Sequence, residues 1–210
     1  MVPLDKSGKI PESYKQLYSF SAFYTALYRG MRTIGAMRHN RKTKDISKDF
    51  IERIMLAVTE VNGCPVCSYG HTKWALEVGM SSEEINLLLA GSSEAVPSSE
   101  LVAVLFAQHY ADSRGNPSHD SWQRVLDVYG LSKSMIILGA TRAIMIGNIW
   151  GMAFSSFSSR LKGKPSGKTN IFYEVGIMIS IVFLLPIAIF HALIAGVMRQ
   201  PVLSFKESRL

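Results

Sequence analysis

The two cysteines of this chain constrain its fold and its chemistry more than any other feature. They lie three positions apart in the stretch Gly63-Cys-Pro-Val-Cys-Ser-Tyr-Gly-His71, and no other cysteine occurs among the 210 residues. Asn62 and Gly63 favour a turn directly before them. Pro65 suits the first turn of a helix, where its missing N–H leaves no hydrogen bond unmade. We therefore predict a short helix that begins at the cysteine pair and is capped near Gly79.

This predicted helix places three reactive side chains on one face. Cys64, Cys67 and His71 stand at positions i, i+3 and i+7, and an α-helix has 3.6 residues per turn. Cys67 and His71 are i, i+4 neighbours, so the imidazole can take the thiol proton. Thiols in a first helical turn lie near backbone N–H groups without partners, which favours the thiolate form. The arrangement favours redox chemistry.

The preceding segment supplies a carboxylate. Residues 48–61 carry apolar side chains at helical spacing, which predicts an amphipathic helix. Glu52 falls at the margin of its apolar face, whereas Arg53 falls on the polar face. If the two helices fold back on each other, Glu52 and His71 lie roughly 15 Å and 12 Å from the turn, so they can meet. The carboxylate would then orient the imidazole as a base.

These residues resemble the pattern of a known family. A glutamate, eleven residues, Cys-x-x-Cys, three residues and a histidine are similar to the alkylhydroperoxidase D-like (AhpD-like) proteins of the carboxymuconolactone decarboxylase superfamily. The segment from Phe50 to Cys64 is also similar to that family's core. The resemblance is specific across about residues 48–80 and looser to about residue 160. Some members carry a further histidine directly before the second cysteine, where this chain has Val66, so a second relay branch is absent.

The resemblance implies a thiol-dependent peroxidase or disulfide oxidoreductase. The cysteine pair would cycle between dithiol and disulfide while a hydroperoxide is reduced, with Glu52 and His71 as a proton relay. His71 favours Cys67 as the attacking thiol and Cys64 as the resolving one, whereas the helix terminus favours Cys64; we choose Cys67. An external dithiol, a lipoyl protein or a thioredoxin-like protein would reopen the disulfide. The family is oligomeric, which predicts a homo-oligomer, and no cofactor is expected.

Other interpretations of the same residues remain open. A structural zinc site needs four ligands, and the remaining histidines offer no second pair at ligand spacing. His71 alone could be a structural histidine, and Glu52 an exposed i, i+4 partner of Lys48. A membrane-tethered redox sensor is a non-enzymatic alternative. The lactone decarboxylase branch of the superfamily is another, and it does not need a cysteine pair.

The remaining sequence predicts an all-α fold, because no strand pattern appears. Residues 1–161 are expected to form an AhpD-like helical bundle, which includes a helix from Tyr14 to about Met37 and a basic loop over residues 38–46. The formal net charge is +7, but no recognition motif or stacking aromatics accompany the basic residues. We therefore predict no nucleic-acid partner.

The C-terminal part has the composition of a membrane anchor. Residues 162–170 read as a linker, residues 171–199 as an apolar helix and residues 200–210 as a short tail. Val175–Met198 contains no Asp, Glu, Lys or Arg over 24 residues. At about 1.5 Å per residue this segment can cross a hydrocarbon core of roughly 30 Å. We predict a transmembrane helix that anchors a cytoplasmic catalytic domain, with a buried oligomer helix as the alternative.

Overall fold

The computed structural model describes residues 15–203 and residue 205. In these residues it contains eight α-helices and no strand, which confirms the all-α prediction. The helices are α1 (Phe20–Met31), α2 (Ile34–Thr43), α3 (Lys48–Asn62), α4 (Pro65–Glu77), α5 (Ser82–Leu89), α6 (Leu101–Asp112), α7 (His119–Leu161) and α8 (Ile171–Val197). The first residues of the chain and most of the predicted tail after residue 203 lie outside the described residues.

Local sequence signals set the ends of α3 and α4. The Ser47 hydroxyl accepts a hydrogen bond from the backbone N–H of Phe50 and so begins α3. Gly63 ends α3 in the left-handed conformation, with a φ of 70° that a residue with a side chain rarely adopts. Cys64 is the N-cap of α4, and Pro65 is its first residue. The predicted pair of helices around the cysteines is confirmed.

The N-terminal helices differ from the prediction. Residues 17–19 are irregular, α1 ends at Met31, and a new helix begins at Ile34, so the single helix predicted to Met37 is two. The predicted basic loop over residues 38–46 is also wrong, because α2 continues through Thr43. Arg and Lys are good helix formers. Asn40 stabilises the end of the helix through both the oxygen and the nitrogen of its side-chain amide. Its Oδ1 accepts from the backbone N–H of Ile46, and its Nδ2 donates to the Ile46 carbonyl.

Arg53 is buried, and its placement on a polar face was wrong. Its guanidinium donates to Glu84 at 2.5 Å, Asp49 at 2.6 Å and Glu100 at 3.0 Å. These carboxylates belong to or flank α3, α5 and α6, so Arg53 joins three helices. A charge is tolerated at such a position because it is paired and hydrogen-bonded.

Helices α3, α6 and α7 pack against one another around the main core. Helices α4 and α5 pack on α3. Gly130, with φ 67° and ψ 166°, interrupts α7. The buried side chains at the centre of this core include Ile54, Val58, Phe106, Ile137 and Ile149. This packing fixes the α3–α4 pair against the second half of α7.

Helix α8 packs along α1 and α7 instead of standing apart from the bundle. Tyr24 and His191 share a hydrogen bond of 2.9 Å, and Arg32 donates to the Gln200 carbonyl at 2.6 Å. Both α7 and α8 are long and apolar enough to cross a membrane, but 72% of the most apolar window of α7 is buried against 17% for α8. Helix α7 is therefore a core helix, whereas α8 keeps an exposed apolar face. Side chains on that face include Phe172, Val182, Phe183, Phe190, Leu193 and Val197.

Candidate active site

Cys64 and Cys67 are joined in a disulfide at the start of α4. The Sγ of Cys64 also accepts a hydrogen bond of 3.4 Å from the backbone N–H of Cys67. Cys64 is 1% exposed, whereas Cys67 is partly exposed. A reactant that arrives from solvent therefore meets the sulfur of Cys67 first.

Glu52 and His71 form a hydrogen-bonded pair beside the first turn of α4. The Nδ1 of His71 lies 2.7 Å from Oε2 of Glu52, and their side chains are 10% and 13% exposed. Because a carboxylate accepts hydrogen bonds, Nδ1 is the donor of this pair, and Nε2 takes no part in the contact with Glu52. The rings of Trp74 and His71 pack edge to face with centroids 5.0 Å apart. The ring is thus held in one orientation by α3 and by its own helix.

The structure brings the predicted residues together as two pairs. Glu52 reaches His71 because α3 and α4 fold back on each other at Gly63, and the two cysteines meet within the first turn of α4. His71 and Cys67 share one face of α4 at i, i+4 spacing. Among the described contacts no hydrogen bond joins His71 to either sulfur. The relay from imidazole to thiol is therefore not connected in the disulfide state.

Helix α7 packs against the disulfide, a contact that the sequence did not predict. A Cβ placed on Gly151 would lie 2.6 Å from the Cys67 sulfur and 2.9 Å from the Cys64 sulfur. The Cys67 sulfur also lies 3.6 Å from the Gly147 carbonyl oxygen. Only a residue without a side chain leaves room for both sulfurs at this position. The two glycines, one helical turn apart in an apolar helix, were the available signal.

Asn148 is a second residue whose position the sequence left open. It is fully buried, and its Oδ1 accepts a hydrogen bond of 3.1 Å from the Thr59 hydroxyl. Its Nδ2 has no partner among the described residues. The contact ties α7 to the last turn of α3, directly before the cysteine turn. An asparagine within an apolar helix was the signal for such a buried polar contact.

The histidines outside α4 do not join the site. The Nε2 of His109 accepts a hydrogen bond of 3.1 Å from the backbone N–H of Ser118, so His109 holds the turn between α6 and α7. His191 contacts Tyr24 and stacks on Tyr28. Within the part of the chain that the structure describes, no group of three or more His, Cys, Asp or Glu side chains is arranged to hold a metal ion.

The comparison with known families agrees with this geometry. Residues 29–108 match the sequence model of the Carboxymuconolactone decarboxylase family. This segment of the chain is similar to that family. The matched segment contains Glu52, Cys64, Cys67 and His71, and it is consistent with an AhpD-like member of the superfamily. Helices α7 and α8 lie beyond the matched residues. No curated protein and no solved structure matches the chain.

Proposed function

We propose that this chain is a thiol peroxidase that reduces hydroperoxides to alcohols through Cys64 and Cys67. The observation that carries the proposal is the disulfide at the start of α4 beside a buried Glu52–His71 pair. A redox-active cysteine pair needs a stabilised thiolate, and a hydroperoxide needs a proton donor for the departing oxygen. The helix terminus and the ion pair offer these two functions within one helix pair.

In the first step the thiolate of Cys67 attacks the terminal oxygen of the hydroperoxide. The O–O bond breaks, the sulfur is oxidised to a sulfenic acid, and the remaining oxygen leaves as the alcohol. Nε2 of His71 takes the thiol proton before attack and returns it to the leaving oxygen. Glu52 keeps the proton on Nδ1 and stabilises the imidazolium that forms. Cys67 is the attacking residue because its sulfur is the accessible one.

In the second step Cys64 closes the cycle. Its thiol attacks the sulfenic sulfur of Cys67, water leaves, and the observed disulfide forms. An external dithiol, carried by a lipoyl or thioredoxin-like protein, then attacks the exposed Cys67 sulfur. Cys64 departs as a thiolate, which the Cys67 N–H and the positive end of α4 stabilise. A second attack by the same donor releases the reduced enzyme and an oxidised dithiol.

Catalytic turnover distinguishes a peroxidase from a redox sensor. With cumene hydroperoxide and excess dihydrolipoamide, we expect continuous loss of peroxide and formation of one alcohol per dithiol oxidised. Cys67→Ser should abolish turnover, and the neighbouring Ser68→Ala should leave it unchanged. A single stoichiometric oxidation without turnover supports a redox sensor instead. If Cys64→Ser and Cys67→Ser both keep full activity, the mechanism is wrong.

We also propose that the exposed face of α8 is buried in a membrane, with the catalytic part on the cytoplasmic side where thiols stay reduced. The support is an apolar helix with a mean hydropathy of 2.7 that is only 17% buried in its most apolar window. Deleting α8 is a poor test, because Ile177 and Ala188 belong to the core cluster.

Two lysines on the exposed face give a cleaner test of membrane association. In Phe183→Lys/Leu193→Lys we expect the full chain to move from the membrane fraction to the soluble fraction while peroxide turnover persists. The matched control is Lys164→Leu/Lys168→Leu in the preceding loop, which should stay with the membrane. A wild-type chain that remains soluble without detergent as a defined oligomer contradicts the anchor and supports the homo-oligomer interface.

A further inference from the structure

A cavity of about 290 Å³ lies between α1, α7 and the turn that follows α6. Three arginines are among the residues that line it: Arg29, Arg114 and Arg142. Among the residues that the structure describes, none with a carboxylate side chain lines it. The other described lining residues are neutral. Two are tyrosines, three carry a hydroxyl or amide side chain, and the rest are glycine or apolar: Tyr18, Tyr110, Ser21, Thr25, Asn116, Gly115, Ala22, Ala26, Met145 and Ile149. The cavity thus combines concentrated positive charge with an apolar wall.

Arg142 is the deepest of the three cations and has no acidic partner among the described residues. It is 2% exposed. Its guanidinium donates to the Tyr110 hydroxyl at 3.0 Å and to the carbonyls of Arg29 at 3.0 Å and Val202 at 2.9 Å. All three acceptors are neutral, and a guanidinium carries five N–H groups. Burial, together with the charges of Arg29 and Arg32, lowers the pKa of Arg142. A buried charge of this kind is stabilised by a negatively charged partner.

The other two arginines are held at the cavity by neutral groups as well. Arg29 donates to the Gly115 carbonyl at 2.7 Å and to Oδ1 of Asn116 at 3.0 Å. The guanidinium of Arg114 lies 5.7 Å from the centre of the Tyr18 ring. Burial and the negative charge of Asp112 both raise the pKa of the Tyr18 hydroxyl, but Asp112 is exposed and is not among the residues that line the cavity. The described part of the wall therefore carries no acidic group that neutralises the positive charge of the cavity.

We propose that this cavity binds a small organic anion that carries a carboxylate or a phosphate monoester group. The oxyanion end contacts Arg29, Arg114 and Arg142, because guanidinium groups bind such oxygens through paired N–H donors. The apolar part of the ligand lies against Met145 and Ile149. A bare inorganic ion would leave that wall of the cavity unfilled, which favours an organic ligand.

The proposed site is separate from the cysteine pair. Ile149 lines the cavity, whereas Gly151 faces the disulfide. At 3.6 residues per turn these two positions point about 200° apart around α7. A ligand in the cavity is therefore on the opposite side of α7 from the sulfurs. The inference does not depend on the proposed peroxidase activity.

Calorimetric titration of the full chain tests the proposal. The probes are benzoate and phenyl phosphate, with benzyl alcohol as the neutral analogue and inorganic phosphate as the bare ion. We expect saturable binding of at least one organic anion, at least about tenfold tighter than either comparison compound, since a tenfold change corresponds to about 1.4 kcal/mol and one charge-assisted contact supplies about that much. Binding by neither organic anion, or equal binding of benzyl alcohol or of inorganic phosphate, overturns the proposal.

A pair of arginine substitutions locates the binding. Arg114 is exposed and has a φ of 52°, a conformation that asparagine tolerates, so Arg114→Asn removes one cavity charge without backbone strain. We expect this substitution to lower the affinity for the organic anion about tenfold. Arg199 has nearly the same φ, 53°, is exposed and lies outside the cavity, so Arg199→Asn is the matched control and should leave affinity unchanged. Equal weakening by both variants means non-specific attraction and overturns the site.

Discussion

Replacing Gly151 with alanine tests whether α7 really supports the disulfide. The new Cβ would stand 2.6 Å from the Cys67 sulfur, 2.9 Å from the Cys64 sulfur and 3.0 Å from Cγ1 of Val66. These separations are about 0.5–0.9 Å below the roughly 3.5 Å at which non-bonded atoms pack best. Overpacking of this kind costs about 1–3 kcal/mol. Because both sulfurs are held in place only in the disulfide, the cost falls mainly on the oxidised protein.

The expected consequence of Gly151→Ala is a disulfide that is easier to reduce. A cost of about 1–3 kcal/mol on the oxidised state raises the reduction potential by about 20–60 mV, since 30 mV corresponds to about 1.4 kcal/mol. The potential is measured by equilibrating the protein with dithiothreitol redox buffers and alkylating the free thiols. The oxidised variant should also melt about 2–12 °C lower, at about 2–4 °C per kcal/mol for a chain of this size.

The matched control for Gly151→Ala is Gly147→Ala, one turn earlier in the same helix. A Cβ on Gly147 would meet only Cδ1 of Ile144, at 3.8 Å, which is ordinary packing. Alanine should therefore stabilise α7 by up to about 1 kcal/mol through its helix propensity. If Gly151→Ala changes neither the potential nor the melting temperature, α7 is not the support of the disulfide.

Two further predictions concern the ion pairs of α3. Glu52→Gln keeps the shape of the side chain but removes the charge that orients His71, so peroxide turnover should fall about 10–100-fold. The control Glu60→Gln, on the same helix, should leave turnover unchanged. Equal turnover rates in the two variants would show that Glu52 takes no part in the relay. Arg53→Met leaves three carboxylates close together, so the free energy of unfolding in urea should fall by about 3–5 kcal/mol. An unchanged urea midpoint for Arg53→Met, with exposed Arg38→Met as control, would show that the triple ion pair is not structural.

The part of the fold that sequence predicted well is the part fixed by local signals. Gly63 and Pro65 act within one helical turn of their own positions, so the end of α3 and the start of α4 followed directly from the sequence. The approach of Glu52 to His71 followed from the same turn, because the short connection at Gly63 makes α4 fold back along α3. Cys67 and His71 share a face through helix geometry alone.

The features that sequence missed depend on residues distant in the chain. The burial of Arg53 requires carboxylates 31 and 47 residues away, which a wheel drawn for one helix cannot contain. The role of Gly151 depends on sulfurs from another helix, and its neighbours along the chain give no sign of them. The packing of α8 on α1 was also not apparent, because an apolar helix has the same composition against protein as against lipid.

The central claim is that Cys64 and Cys67 together reduce a hydroperoxide. It is tested most directly by mixing the fully reduced protein with one equivalent of cumene hydroperoxide and following free thiols, alcohol and intact mass. The account predicts loss of both thiols, formation of one alcohol and a mass lower by two hydrogens, with Cys64→Ser stopping at a sulfenic acid on Cys67. A protein that keeps both thiols in the presence of excess peroxide contradicts it.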